Sequence, residues 1–178
     1  MRYELLLLFM LSAFSLKAQI AEVNIDQIAL IHPNNKSIGL PLNDSCEKCT
    51  RIFGKPDEIL DYYSEIDEDT MKLYRYGKSN LYFLKGKLNS WNVQDNRIWV
   101  GQVDGRIFKI GDKLTLGSAR PTNFRGLTIN HYTGVSRNMQ FAFASISEIK
   151  DGNSYLDSFF ELLFDSKGIL FSISKLDN

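Results

Sequence analysis

Short runs of alternating apolar and polar residues, separated by turn residues, make up most of the chain and predict β-strands. The clearest pair covers residues 80–84 and 87–93, which we expect to form a hairpin around Lys85-Gly86. Further strands are predicted at 28–31, 71–76, 98–103, 106–110, 126–132, 138–149, 154–164 and 169–174. Strands and helices do not alternate along the chain, so the pattern predicts antiparallel sheets rather than a parallel α/β fold.

One segment has helical spacing instead. Four of its residues fall on one apolar face, namely Cys46, Cys49, Ile52 and Phe53. Asp44 or Ser45 can cap its free N–H groups, and Gly54 and Pro56 end it. One capped helix among many hairpins predicts an α+β fold: antiparallel sheets with a few short helices.

An acidic segment, residues 57–69, follows this helix and carries seven carboxylates with Tyr62 and Tyr63 among them. We expect a short helix followed by a solvated loop. Calcium binding is the alternative, because Asp67, Glu68 and Asp69 are adjacent, but the spaced ligands and turn glycine of an EF-hand loop are missing.

The first eighteen residues have the pattern of a secretory signal peptide. Arg2 precedes an almost uninterrupted apolar run from Leu5 to Phe14, and Ala18 offers a small residue for cleavage before Gln19. The run is too short to span a bilayer comfortably, so residues 1–18 predict a cleavable signal and a periplasmic or secreted protein. A buried N-terminal helix or strand is the alternative interpretation.

The remaining chain divides by pattern into two halves. Residues 19–108 form a first α+β half with the CxxC helix and hairpins, and residues 109–178 a second, degenerate and β-rich half. The run 162–171 mirrors 81–91, which suggests two repeats sharing one core.

Composition and charge then narrow the function. The chain has 178 residues, 44% of them hydrophobic, with 21 basic and 21 acidic side chains. Such a balance provides no bulk field that would attract nucleic acid or an anionic membrane. We therefore expect no nucleic-acid partner, and no stable membrane insertion after signal cleavage.

Cys46 and Cys49 form the only sharp chemical motif. At i and i+3 of a helix the two residues lie within the range that a disulfide tolerates, and an exported protein meets an oxidising compartment. A structural disulfide is the first interpretation. Inert thiols and a redox-active pair at a helix N-terminus remain alternatives.

Other catalytic patterns are missing from the sequence. His32 and His131 are the only histidines and are too isolated to complete a zinc site with the cysteines. Neither a Gly-x-Ser-x-Gly motif nor a glycine-rich phosphate loop occurs. We therefore expect no enzyme activity, no catalytic residue, no metal and no cofactor.

Aromatic residues on the predicted strands offer a binding surface. Tyr74, Tyr76, Tyr82, Trp91 and Trp99 are the candidates. An exposed aromatic sheet face would bind another protein. The alternative is that the second half of the chain buries both faces.

The motif Phe53-Gly54-Lys55-Pro56-Asp57 after a capped helix, followed by Tyr74 to Gly77 and Leu81 to Lys87, resembles repeats of the SmpA/OmlA and beta-lactamase-inhibitor-protein-like (BLIP-like) superfamily. The resemblance covers residues 38–93 well and 109–175 weakly. It implies an α+β repeat whose sheet binds other proteins without catalysis. The cysteine pair and the missing lipobox depart from the family pattern.

The sequence as a whole predicts an exported, non-catalytic protein that binds an envelope or extracellular protein. A thiol–disulfide redox protein using Cys46 and Cys49 is the first alternative, and an envelope protein with a purely structural role is the second.

Overall fold

A computed structural model describes residues 21–114, 124, 127–136 and 139–177 of the chain. The predicted signal peptide lies outside these residues. The strands, in chain order, are β1 (Ala21–Asn24), β2 (Ala29–His32), β3 (Asn35–Leu40), β4 (Glu58–Ser64), β5 (Asp69–Tyr76), β6 (Ser79–Leu84), β7 (Lys87–Val93), β8 (Trp99–Gly101), β9 (Ile107–Phe108), β10 (Asn130–Ser136), β11 (Met139–Asp151), β12 (Ser154–Phe164) and β13 (Leu170–Asp177). One α-helix, α1 (Cys46–Phe53), lies between β3 and β4, and a 3-10 turn (Ile25–Gln27) follows β1.

Nine of the strands form one sheet with the order β1-β11-β12-β13-β7-β6-β5-β4. β1 and β10 both pair with β11 on the same side: β1 with residues 147–150 and β10 with residues 139–144. All neighbours in this sheet are antiparallel except β1 and β11. A second sheet, with the order β3-β2-β8-β9, is also antiparallel. The predicted antiparallel sheet with a short helix is confirmed in this coarse form.

The predicted hairpin of β6 and β7 holds the helix in place. Its turn residues Lys85 and Gly86 both have positive φ, at 49° and 77°, as a two-residue type I′ turn requires. The backbone N–H of Cys46 donates to the carbonyl of Gly86 at 3.1 Å, and that of Leu88 donates to Asp44 at 2.8 Å. The start of α1 is therefore fixed to the hairpin by backbone hydrogen bonds.

The ends of α1 follow the sequence signals. Ser45 has an extended backbone, and its hydroxyl accepts a hydrogen bond from the Lys48 N–H at 3.2 Å. Gly54, with a φ of 80°, ends the helix where the sequence predicts. The predicted capped helix is confirmed.

One hydrophobic core joins both sheets and the helix. α1 and the four-stranded sheet cover the same face of the large sheet, since buried residues of all three belong to one cluster. Cys49 comes from the helix, Leu30 from the small sheet, and Phe83 and Leu162 from the large sheet. Strands from both predicted halves thus contribute to one sheet and one core.

The acidic segment is where the structure corrects the sequence analysis. Residues 58–64 form strand β4, paired along its whole length with β5, rather than a short helix followed by a loop. Only the turn between them, residues 65–68, lacks strand pairing. The carboxylates misled the prediction because Glu58 and Asp61 form cross-strand ion pairs with Arg75 and Lys72, instead of marking a solvated loop.

Two strands, β1 and β3, were not predicted, and the other differences concern strand ends. β8 and β9 are shorter than the predicted strands 98–103 and 106–110. β10 begins at Asn130, whereas the predicted strand starts at residue 126, outside the described residues. β11, β12 and β13 match their predictions closely, and β12 has the predicted bounds.

Truncating Leu162 tests the shared core. Leu162 is fully buried on β12, so Leu162→Ala removes apolar contacts and leaves a cavity. We expect the free energy of unfolding to fall by about 2–5 kcal/mol, measured by urea denaturation. The control is Leu60→Ala on β4, where the side chain is already exposed and we expect a change of about 0.5 kcal/mol or less. Equal effects of the two variants would contradict a common core.

Candidate functional site

The five aromatic residues singled out in the sequence do not form one surface. Tyr76 and Trp91 are about 1% exposed and belong to the core. Tyr74 packs on the Phe83 ring at 4.7 Å, and Trp99 lies under the Lys109 ammonium at 3.8 Å. Tyr74, Tyr76 and Trp91 thus lie in or against the core. Only Tyr82 lies on the opposite face of the large sheet, and Trp99 belongs to the small sheet.

Tyr82 instead meets a tyrosine of β4. The rings of Tyr62 and Tyr82 are 5.1 Å apart in an edge-to-face arrangement, which is a favoured geometry for aromatic pairs. The strand register explains the contact: Tyr62 lies opposite Met71, and Tyr82 lies opposite Leu73, which is two residues further along the same face of β5. This face of the sheet is the one that α1 does not cover.

Exposed apolar side chains are concentrated on β4. Twelve large hydrophobic side chains are exposed among the described residues, and five of them lie between residues 59 and 66. On β4 these are Ile59 (51%), Leu60 (37%), Tyr62 (46%) and Tyr63 (60%). Together with Tyr82 we call these four residues the tyrosine edge. Such concentration on one strand is typical of an interaction surface.

A small cleft opens beside the tyrosine edge. Its volume is about 170 Å³, and its walls include Tyr62, Met71, Tyr82, Ser90 and Leu176. Ligand pockets for drug-sized molecules are usually about 300–1,000 Å³. The cleft therefore suits a single side chain of a protein partner better than a small-molecule ligand.

The charges around β4 are mostly paired. Glu58 contacts Arg75 at 2.5 Å, Asp61 contacts Lys72 at 2.5 Å, and Asp57 pairs with Arg97. In the turn that follows β4, Glu65 and Glu68 are exposed and form no salt bridge within the described residues. Uncompensated negative charge is therefore confined to one end of the strand.

The neighbouring acidic residues Asp67 and Asp69 make separate contacts. Asp67 accepts a hydrogen bond from the Ser64 hydroxyl at 2.6 Å, and Asp69 pairs with Lys85 at 3.6 Å. Nowhere in the described part of the chain do three or more His, Cys, Asp or Glu side chains lie close enough to hold a metal ion. His32 stacks near Phe53, and His131 contacts the Phe143 ring.

Cys46 and Cys49 lie at the start of α1 as predicted, and both are free thiols in this structure. Cys49 is fully buried, and its Sγ lies 3.6 Å from the Tyr76 hydroxyl, which donates to the Gly54 carbonyl at 2.9 Å. Burial raises the pKa of the Cys49 thiol to about 11, and the Tyr76 contact offsets this only in part. Since the thiolate is the reactive form, Cys49 is poorly suited to redox exchange at neutral pH. The disulfide between Cys46 and Cys49 stays a prediction, as does the export on which it depends.

Comparisons with known proteins add no relative. No family model, no curated protein and no solved structure matches the chain. Among the described helices, none is both long enough and apolar enough to cross a bilayer. The resemblance to BLIP-like repeats therefore stays a prediction.

Sequence reasoning named Tyr82 but missed its partner Tyr62 and the other β4 residues. The signal was present, because residues 59–63 combine apolar and aromatic side chains between Pro56 and the turn at 65–68. The carboxylates next to these residues indicated a solvated loop instead of a strand.

Alkylation of the reduced protein tests the cysteine environments. We expect iodoacetamide at about pH 8 to label Cys46 at least about tenfold faster than Cys49, because the Cys49 thiol is buried and its pKa is raised. Mass spectrometry after timed labelling measures both rates. In urea the two rates should become equal, and a bridged pair would take up no label until reduced. Equal rates in the folded protein would contradict the buried site.

Asp57, immediately before β4, gives a pH-dependent test. Its carboxylate pairs with Arg97 and accepts a hydrogen bond from the Gly77 N–H at 2.6 Å, and both contacts lower its pKa. Because the folded-state pKa lies below the unfolded one, this stabilisation is present above a pH of about 4 and is lost as the pH falls through the folded value. We expect Asp57→Asn to lower the urea midpoint at neutral pH.

The difference between wild type and Asp57→Asn should shrink as the pH falls below about 4 and vanish once Asp57 is protonated in both the folded and the unfolded state. Asp61→Asn is the control, because the Asp61 carboxylate pairs with an exposed lysine side chain and such pairs contribute little. A constant difference across the whole pH range would contradict the role of the Asp57 charge.

Proposed function

We propose that the protein is an exported, non-catalytic module that binds another envelope or extracellular protein through the tyrosine edge. The observation that carries the proposal is the concentration of exposed Ile59, Leu60, Tyr62 and Tyr63 on one strand, beside Tyr82 and its small cleft. Tyrosine provides a large contact area with few rotatable bonds, and it is enriched among the residues that dominate binding energy. Export rests on the signal-peptide pattern of residues 1–18.

The cysteine pair lies apart from the surface on which this proposal rests. Burial raises the pKa of the Cys49 thiol, so a redox role would require the more accessible Cys46 as the attacking thiol. Cys46 and Cys49 lie on the covered face of the large sheet, whereas three residues of the tyrosine edge lie on the open face, namely Leu60, Tyr62 and Tyr82. We assign the pair a role in holding the start of α1.

The finer part of the proposal concerns the origin of the two halves. The hairpins β6–β7 and β12–β13 mirror each other in sequence and pair side by side in the large sheet through β7 and β13. We propose that they descend from two BLIP-like repeats. The second half has no α-helix among its described residues, so this repeat would have lost the helix that the first half retains.

Crosslinking tests the binding function. The protein, expressed from its full sequence and purified after export, is incubated with envelope and extracellular fractions of the source organism, crosslinked and identified with its partners by mass spectrometry. We expect Tyr62→Ser with Tyr82→Ser to lower capture of a specific partner by about tenfold or more, because tyrosines at the centre of an interface contribute about 2 kcal/mol or more.

Tyr155→Ser is the matched control. Tyr155 is also an exposed tyrosine, but it lies on β12 and bonds to Glu22. Its loss should leave capture unchanged. Capture of no specific partner, or equal loss in the control, would count against the proposed function.

A further inference from the structure

β4 is the last strand on its side of the large sheet. It pairs with β5 through seven residue pairs, and no second strand pairs with it within the described residues. Alternate residues of an edge strand direct their N–H and C=O groups away from the sheet, where they form a template for one more strand. The backbone of β4 is thus available for hydrogen bonding.

β4 lacks several of the features that usually protect an edge, and its two charged residues, Glu58 and Asp61, are paired with Arg75 and Lys72. Its seven residues contain neither lysine nor proline, and its register with β5 has no bulge. The opposite edge differs: the register of β10 with β11 shifts between His131 and Gly134, and β1 has only four residues. Of the two edges of the large sheet, β4 is therefore the regular one, with exposed apolar residues on both faces.

The charges on β4 disfavour a second copy of the chain as the added strand. Two copies of β4 paired about a two-fold axis at the strand centre would place Asp61 directly opposite Asp61. Each acidic turn with Glu65 and Glu68 would then lie beside Asp57 and Glu58 of the other copy. Like charges directly opposite each other destabilise a strand pair. The ion pairs with Lys72, Arg75 and Arg97 reduce this repulsion, but they provide no attraction between the two copies.

A strand with a basic residue would instead be attracted to the end of β4. Glu65 and Glu68 provide uncompensated negative charge at the end of β4, and the carboxylates along the strand are already paired with Arg75 and Lys72. Ile59 and Tyr63 lie on one face of the strand, and Leu60 and Tyr62 on the other. An added strand with apolar side chains on both faces could cover all four.

We propose that β4 binds an extended segment of the partner protein by strand addition, and that this segment carries apolar residues along its length and a basic residue beside the turn of Glu65 and Glu68. The inference rests on the proposed function and specifies how the partner is recognised. Main-chain hydrogen bonds provide the affinity in this mode, and side chains provide the specificity.

Synthetic peptides test the proposal directly. The probe is an acetylated, fluorescent peptide of seven residues, the length of β4, with five valines between two terminal lysines, so that both faces of the added strand are apolar. One comparison peptide has terminal glutamates, and another has the lysines but N-methyl groups on alternate amides. We expect both comparison peptides to bind at least about tenfold more weakly by fluorescence anisotropy, since one loses charge complementarity and the other loses backbone hydrogen bonds.

Variants locate the site. Ile59→Lys with Tyr63→Lys places like charge against the probe, so its binding should fall by about tenfold or more. Tyr132→Lys with Val135→Lys puts the same charges on exposed positions of β10, and binding should be unchanged. Hydrogen exchange of the protein with bound probe should show protection in β4.

Several results would overturn the proposal: equal binding of the glutamate or N-methylated peptide, no binding of the lysine probe, equal loss in the β10 variant, or a dimer in sedimentation that the β4 lysines dissociate. Failure of the proposed function looks different. If partner capture survives Ile59→Lys with Tyr63→Lys but is lost on Tyr62→Ser with Tyr82→Ser, strand addition is wrong and the binding function stands. If no specific partner is captured at all, the proposed function fails independently of peptide binding.

Discussion

The short pairing of β7 with β13 is the contact on which the large sheet depends. Ile173 lies opposite Val93, and both are fully buried. One residue along, the Asn92 amide donates to the hydroxyls of Ser172 and Ser174 at 2.8 and 2.7 Å. Apolar burial supplies most of the free energy, whereas a buried amide finds its partners in only one register. The polar contacts thus select how the two halves join.

Joining the halves at this point decides which surfaces remain free. Because β13 follows β7 in the sheet, β5 and β4 extend on the far side of β6, and β4 becomes an edge. α1 and the small sheet cover one face, so Tyr76 is buried there, whereas Tyr82 lies on the open face. A pattern of aromatics that looks continuous in sequence is therefore divided between core and surface by strand parity.

Local signals were enough to predict the helix, the β6–β7 hairpin and several of the strands. Ser45 and Gly54 bound the helix, the Lys85-Gly86 turn forms the hairpin, and β12 has its predicted limits. These features depend on neighbours in sequence, through capping and turn geometry. The pairing of β7 with β13 joins residues about eighty positions apart, and no short motif encodes it. The candidate site depends on that pairing order, so only Tyr82 could be named in advance.

β4 was missed for a different reason, which also bears on its role. A run of carboxylates predicts a solvated loop only when the charges have no partners, and here Arg75 and Lys72 on the next strand supply them. Neutralised in this way, the strand can keep apolar side chains exposed without excess charge along its length. The chain as a whole carries 21 basic and 21 acidic residues, so it exerts little long-range attraction on a charged partner. Under the proposed function, a partner would then be selected at short range, at the end of β4 where Glu65 and Glu68 have no salt-bridge partner among the described residues.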